Sequence, residues 1–377
     1  MVDVYKGLNL LESLKDSMES NKLSEVKEAV EDLLISRINL AIAGDRGEEK
    51  TSFINSLHGL CPGEEGAAPS SSAVDSEDVT CYVNPKHTDY RLWDLPPVPD
   101  SAPFDCDNYM DRVKFLRYNA VFMAFTQTTP PPGVVDLFLR TRTLQQQTLY
   151  LTLLVSGNNE DRYLEAKRKA SVEMLASRGV TQPKVYLVRP SALETLDFPT
   201  LLEDMIKDLP EIRSYALLMA LPTLTAALVS QKKEAFKALV WAAASLSGGM
   251  SAIPVPFVAS MVDTSVAVRI LSKAQLSLCL DDASVERLAR QRGAEAATLK
   301  ALRTCTLSVE VTKGEVKSRL AAAERDSSTL SSKLMQMAIP THARSAGRSF
   351  SAMLHALNSA IDDMAADAEK ILASAFK

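Results

Sequence analysis

Hydrophobic positions along the chain change their period twice. In residues 1–36 they recur at helical spacing: Leu8, Leu11 and Leu14, then Val26, Val30, Leu33 and Leu34 behind the capping residue type Ser24. Two short amphipathic helices are predicted there. At 38–43 the pattern becomes a continuous apolar run, INLAIA, ending at Gly44, as a strand buried on both faces would read. Helical spacing resumes at 51–57 (TSFINSL). Strand, glycine-containing loop and helix in that order open an α/β unit.

Further apolar runs follow at α/β spacing. Residues 90–93 end at Asp94, and 120–125 (AVFMAF) end in a Thr/Pro loop. Residues 149–155 (LYLTLLV) end at Ser156-Gly157-Asn158-Asn159, and 185–188 (VYLV) end at Arg189-Pro190-Ser191. A helical pattern at 161–178 lies between the last two runs. The expectation is an α/β domain over 37–210 built on a doubly wound, mostly parallel sheet, with ligands at the carboxyl ends of its strands. Past Pro210 strand signals stop. Ala/Leu/Ser-rich helical patterns over 211–377 predict an all-helical domain, with 1–36 packed beside it.

Two stretches raise the question of membranes. From Ala238 to Val262 no charge appears, yet Ser245, Ser247, Gly248, Gly249, Ser251, Pro254 and Pro256 break the run. Two short apolar helices joined by a Gly-Pro turn fit better than a span. In 347–376 an apolar stripe (Phe350, Met353, Leu354, Leu357, Ile361, Met364, Ile371) faces an acidic side (Asp362, Asp363, Asp367, Glu369). Membrane-surface helices favour Lys and Arg there, so packing on the domain is the expectation.

Composition narrows the class. Hydrophobic residues are 46% and charged residues 24%, which excludes wholesale disorder. Net charge is −5, so no basic excess points to nucleic acid. Cys61, Cys81, Cys106, Cys279 and Cys305 form no C-x-x-C pair, which indicates a reducing, cytoplasmic setting without a metal cage. His58, His87, His342 and His355 lack ligand spacing and read as surface or loop residues, and Lys232-Lys233 reads as a solvated face.

The candidate chemistry sits behind the first strand. A phosphate-binding loop reads G-x-x-x-x-G-K-[ST]: backbone N–H groups cradle phosphates, the Lys meets the β/γ oxygens and the hydroxyl ligates Mg²⁺. Here the sequence is Gly44-Asp45-Arg46-Gly47-Glu48-Glu49-Lys50-Thr51, followed by Ser52. The first Gly, the Lys and the Thr stand in place, with Thr51 and Asp94 as candidate Mg²⁺ ligands. Glu49 replaces the second glycine and adds bulk and, with Glu48, negative charge. A D-x-x-G element becomes Asp94-Leu95-Pro96-Pro97, where Pro97 has no N–H for a γ-phosphate. A guanine-reading [NT]-K-x-D element becomes Ser156-Gly157-Asn158-Asn159, with an amide in place of the carboxylate.

These residues resemble the immunity-related (interferon-inducible) GTPase family over nearly the whole chain. The resemblance rests on INLAIAGDRGEEKTSFINSLHG (38–59), EEGAAP (64–69), LWDLPP (92–97), DFPTLLEDMIKDLP (197–210), ALPTLT (220–225), IPVP (253–256), LDDASVERLA (280–289) and DDMAADAEKIL (362–372). It implies a Ras-like G domain flanked by N- and C-terminal helices, GTP-dependent self-association, and association with vesicle or vacuole membranes in cell-autonomous immunity. It also implies Ser70 and Ser71 in the switch region and Asp45 in the family's acidic loop position, a weak catalytic candidate. Departures at Glu49, Pro97, Gly157 and Asn159 are most like the quasi-GTPase branch.

Two functional readings stay open. One is a non-catalytic scaffold or regulator that binds protein partners, itself or other G domains of the family, with peripheral contact on intracellular membranes and no required cofactor. The other binds GTP or GDP with Mg²⁺ and hydrolyses GTP slowly when dimerised. The loop at 61–77, rich in Gly, Ser and acid, is expected to be loose without nucleotide.

Overall fold

The computed structural model describes residues 37–44, 47–69, 78–99, 104–144, 148–157, 161–250, 256–334 and 347–376. The predicted helices of 1–36, along with Asp45, Arg46, Ser70, Ser71, Asn159 and His342, lie outside them. The chain divides into two compact units, one of which is 37–221; the other holds the described residues from Pro222 onward.

In the first unit the apolar runs become strands: β1 (Ile38–Gly44), β3 (Tyr90–Asp94), β4 (Ala120–Phe125), β5 (Thr148–Leu154) and β6 (Val185–Val188). The order is β2-β3-β1-β4-β5-β6, parallel throughout except for β2 (Thr80–Val83), which runs antiparallel on β3. The doubly wound expectation holds. Helices α1 (Glu48–His58), α2 (Cys106–Val113), α3 (Pro132–Leu144), α4 (Asp161–Ser177), α5 (Phe198–Asp208) and α6 (Glu211–Ala220) connect and cover the sheet. On one face Ala41, Val121, Met123 and Leu153 pack with Met110 of α2, Val135 of α3 and Leu164 of α4. On the other, Phe53 of α1 meets Phe122 edge-on, with ring centroids 5.2 Å apart. Helix α6 packs on β1 and β3, so this unit continues past Pro210 to Leu221.

The DFP signature has a structural role. The Asp197 carboxylate accepts the Leu187 N–H at 2.8 Å, and the Asp197 N–H donates to the Leu187 carbonyl at 3.0 Å. One residue therefore satisfies both outward-facing backbone groups of Leu187 on the terminal strand β6. Arg168 of α4 pairs with the same carboxylate at 2.7 Å.

The second unit contains α7 (Ala226–Met250), α8 (Pro256–Ser277), α9 (Asp282–Arg292), α10 (Ala296–Ala301), α11 (Thr306–Val309), α12 (Lys313–Leu334) and α13 (Gly347–Ala375). The uncharged stretch falls at the end of α7 and the start of α8, which pack on each other. Both helices are longer than expected, and Gly248-Gly249 lie inside α7. Among the described residues no helix is long and apolar enough to cross a membrane.

The stripe on α13 is buried at Met353, Leu357, Ile361 and Met364, against α7 and α12. Its acidic side is not simply solvated. Asp362 pairs with Lys237 of α7 at 2.7 Å, Asp363 with Arg319 of α12 at 3.0 Å, and Asp367 is fully buried. Lys232 does not lie on the solvated face expected of it. It is 0% exposed, and its ammonium donates to Thr223 Oγ1 at 3.0 Å and to the Ser277 carbonyl. Burial pushes its pKa down to about 8.

His58 is not the surface or loop residue expected either. At the end of α1 it is 3% exposed, edge-on to Tyr90, with Nε2 3.2 Å from the Tyr82 carbonyl and Nδ1 without a partner. Burial pushes its pKa down to about 4. The described part of the 61–77 loop is held in place. The Asn55 amide of α1 accepts the Ala68 N–H at 2.6 Å and donates to its carbonyl at 3.0 Å.

Candidate functional site

The predicted site residues meet where β1 gives way to α1. Gly44 ends β1 with φ +142°, and a Cβ there would collide with the Ala124 carbonyl of β4. Only glycine fits both the backbone angle and the close approach. Asp45 and Arg46 lie outside the described residues. Gly47 then caps α1 in an extended backbone conformation, without a side-chain hydrogen bond to the helix.

A helix N-terminus attracts anions through its free N–H groups and its dipole. Here Glu48 and Glu49 stand in the first turn, Glu48 exposed and Glu49 half-buried. These two residues put negative charge in the first turn, which disfavours a further anion there. Thr51 and Ser52 follow within the first two turns, both half-buried.

Lys50 does not point free into an open loop. It is 6% exposed, its ammonium lies 2.7 Å from Asp94 Oδ1, and it donates to the Leu95 carbonyl at 2.6 Å. Asp94, the last residue of β3, sits opposite Ile42 of β1. The candidate cation and the candidate metal carboxylate thus neutralise each other. Separating them would leave a buried charge without its partner, which is costly.

Residues 95–99 read Leu-Pro-Pro-Val-Pro, so only Leu95 and Val98 carry an N–H. Both are engaged by β1. Leu95 donates to the Ile42 carbonyl at 3.0 Å and Val98 to the Gly44 carbonyl at 3.1 Å. No N–H of this segment remains for a phosphate. On the outer side the Tyr109 hydroxyl of α2 donates to the Pro96 carbonyl at 2.7 Å. At α3 a Cβ on Gly133 would collide with the Pro99 carbonyl.

The strand ends on the far side carry the base-reading candidates. Gly157 follows β5 with φ +69°, and Asn158 and Asn159 lie outside the described residues. Arg189, first after β6, donates from Nε to the Gly157 carbonyl at 3.0 Å and ties the two loops together. Sequence reading missed Arg189 and Tyr109. Arg189 was signalled only by its place at a strand's carboxyl end, and Tyr109 by nothing local. Among the described residues no cluster of three or more His, Cys, Asp or Glu side chains could hold a metal ion.

A family model described as Interferon-inducible GTPase (IIGP) matches residues 8–127 and 155–375. The chain belongs to the interferon-inducible GTPase family. Among curated relatives, Interferon-inducible GTPase 5 of Bos taurus is 29% identical over 378 residues, covering 96% of this chain and 81% of the relative. Interferon-gamma-inducible GTPase 10 of Mus musculus is 24% identical over 281 residues, 71% of this chain and 67% of the relative. T-cell-specific guanine nucleotide triphosphate-binding protein 2 of Mus musculus is 25% identical over 289 residues, 72% and 69% respectively. The interferon-inducible GTPase fold accounts for the sheet order and the strand–loop–helix at 38–58. Family membership makes guanine nucleotide the ligand class against which these residues are judged.

GTP with Mg²⁺ fits the arranged donors poorly. The Lys50 ammonium and Asp94 carboxylate are paired with each other, and the two amides of 95–99 are engaged by β1. Two carboxylates also flank the helix N-terminus.

Proposed function

We propose that this chain is a quasi-GTPase of the interferon-inducible family: a G-domain fold that serves as a non-catalytic scaffold or regulator. The observation that carries this reading is at 94–99, where both available amides donate to β1 and Lys50 is taken by Asp94 and the Leu95 carbonyl. Each charge-assisted bond denied to a triphosphate weakens its binding by about 1.5–3 kcal/mol, and several such deficits in one site compound. The partners are proteins, a second copy or other G domains of the family, met in the cytoplasm or peripherally on intracellular membranes in cell-autonomous immunity.

The test is calorimetric titration of the purified chain with GTP, GDP and ATP in Mg²⁺, beside a Glu49→Gly variant. Wild type is expected to give no saturable heat. Glu49→Gly alone is expected to stay weak, because Pro97 and the paired Lys50 remain. Micromolar GTP binding by wild type would overturn the reading. It would favour the second one, slow hydrolysis by a dimer, for which the retained Lys50, Thr51 and Asp94 speak.

A further inference from the structure

We propose that the Lys50 ammonium and residues 95–99 form a strap that holds the β3 exit in one nucleotide-independent conformation, with Lys50 acting as a positioning residue for backbone. This deepens the quasi-GTPase reading and rests on the same site, but its geometry stands without any statement about affinity.

Four elements grip the segment. Strand β1 takes the Leu95 and Val98 amides on its Ile42 and Gly44 carbonyls. Helix α1 reaches the Leu95 carbonyl through Lys50 at 2.6 Å, and α2 reaches the Pro96 carbonyl through Tyr109 at 2.7 Å. Helix α3 lies so close at Gly133 that no side chain fits between it and the Pro99 carbonyl. Leu95 is 2% exposed and Val98 4%, and Tyr109 is buried at 4%. Pro96, Pro97 and Pro99 fix φ at three of the five positions, which removes most of the alternative backbone states.

A segment that reports a bound γ-phosphate needs two states of comparable energy and an N–H that changes partner between them. Here both N–H groups are bonded to β1, so each would have to give up that bond to meet a phosphate. Moving the segment would also strip the Leu95 carbonyl from a buried ammonium. The strap therefore presents one fixed surface, with Pro97 half-buried and Pro99 exposed at its outside, whatever the nucleotide supply.

The geometry makes an unusual measurement possible. Leu95 and Val98 are the only exchangeable backbone amides in 95–99, so amide hydrogen exchange of this stretch reads the strap alone. In the nucleotide-free full-length chain both amides should exchange about a thousand-fold or more below their unprotected rates, as expected of groups that open only with the unit. Millimolar non-hydrolysable GTP analogue with Mg²⁺ should leave those rates unchanged.

Lys50→Met should speed exchange at Leu95 and Val98 by about ten- to a hundred-fold, the size expected for losing a charge-assisted bond. Should Lys50→Met fail to fold, Tyr109→Phe tests the same strap from α2, with about a three- to ten-fold rise confined to these amides. Unprotected amides in the free chain would overturn the strap, as would a response to the analogue or unchanged exchange in the variant that folds. The two proposals separate cleanly. Calorimetric GTP binding with unchanged exchange at 95 and 98 would sink the quasi-GTPase reading and leave the strap. Unprotected amides without any nucleotide binding would do the reverse.

Discussion

The carboxylate of Asp367, fully buried on α13, accepts the N–H of Cys305, the residue that leads into α11, at 2.8 Å. The Thr304 hydroxyl donates to the same carboxylate at 2.8 Å and Lys370 at 3.0 Å. Burial alone would raise this carboxyl's pKa, but the Cys305 N–H, the Thr304 hydroxyl and Lys370 bring it below the usual carboxylate range. Asp367→Ala leaves the Cys305 amide and Thr304 hydroxyl unmatched. It should destabilise the helical unit by about 2–4 kcal/mol, read as a lower urea midpoint with an unchanged slope. Because the folded-state pKa is depressed, the native contribution is present above the unfolded-state value and fades as pH falls through the folded one. An Asp367→Ala variant as stable as wild type at neutral pH would contradict this.

His58 makes the G-domain unit acid-sensitive. Its folded pKa of about 4 lies below the ordinary value of 6.5, so between them the unfolded chain binds a proton that the native chain refuses. Stability should be level above pH 7 and fall as pH drops from 6.5 toward 4, by about 3 kcal/mol at most. His58→Phe keeps a ring against Tyr90 and should flatten that slope. An identical acid slope in the variant would assign the effect elsewhere.

Lys232 acts in the same direction at alkaline pH. Its folded pKa of about 8 lies below the ordinary 10.5, so the burden of a buried ammonium is fully present below pH 8 and is relieved as pH rises toward 10.5. The helical unit should gain stability over that window, by about 3 kcal/mol at most, and Lys232→Met should abolish the gain. Denaturation midpoints at pH 7.5 and 9.5 in both proteins decide it.

Gly44 should tolerate no side chain. Gly44→Ala meets both the +142° backbone angle and the Ala124 carbonyl, for a loss of at least about 3 kcal/mol in the G-domain unit. Gly157→Ala, with positive φ but open space around its Cβ, should lose only about 1 kcal/mol. Comparable losses at the two positions would show that the collision with the carbonyl does not matter.

Strands buried on both faces were legible because their burial makes continuous apolar runs. β4 and β6 match their runs residue for residue, β1 extends one residue past its run, and β5 is displaced by one residue at both ends. β2 was not legible: Thr80–Val83 is short and half-buried throughout, so it carries neither a run nor clean alternation. The candidate phosphate loop was readable from spacing, but the pairing of Lys50 with Asp94 depends on β3 lying beside β1. Lys232 and His58 were misread for one physical reason. A polar side chain is buried when distant backbone supplies its partners, here the carbonyls of Ser277 and Tyr82, and local pattern cannot report that.

The Asp197 side chain on Leu187 also bears on how this protein keeps apart from its neighbours. An incoming strand adds to a sheet by capturing outward-facing donors and acceptors, and at Leu187 both are already matched from within the chain. Zipper-like growth across the β6 margin therefore has no template at its centre. Asp197→Ala would free the Leu187 N–H while the backbone amide of residue 197 still holds the carbonyl, reopening half of that template and with it a route to edge-to-edge aggregation that the native carboxylate closes.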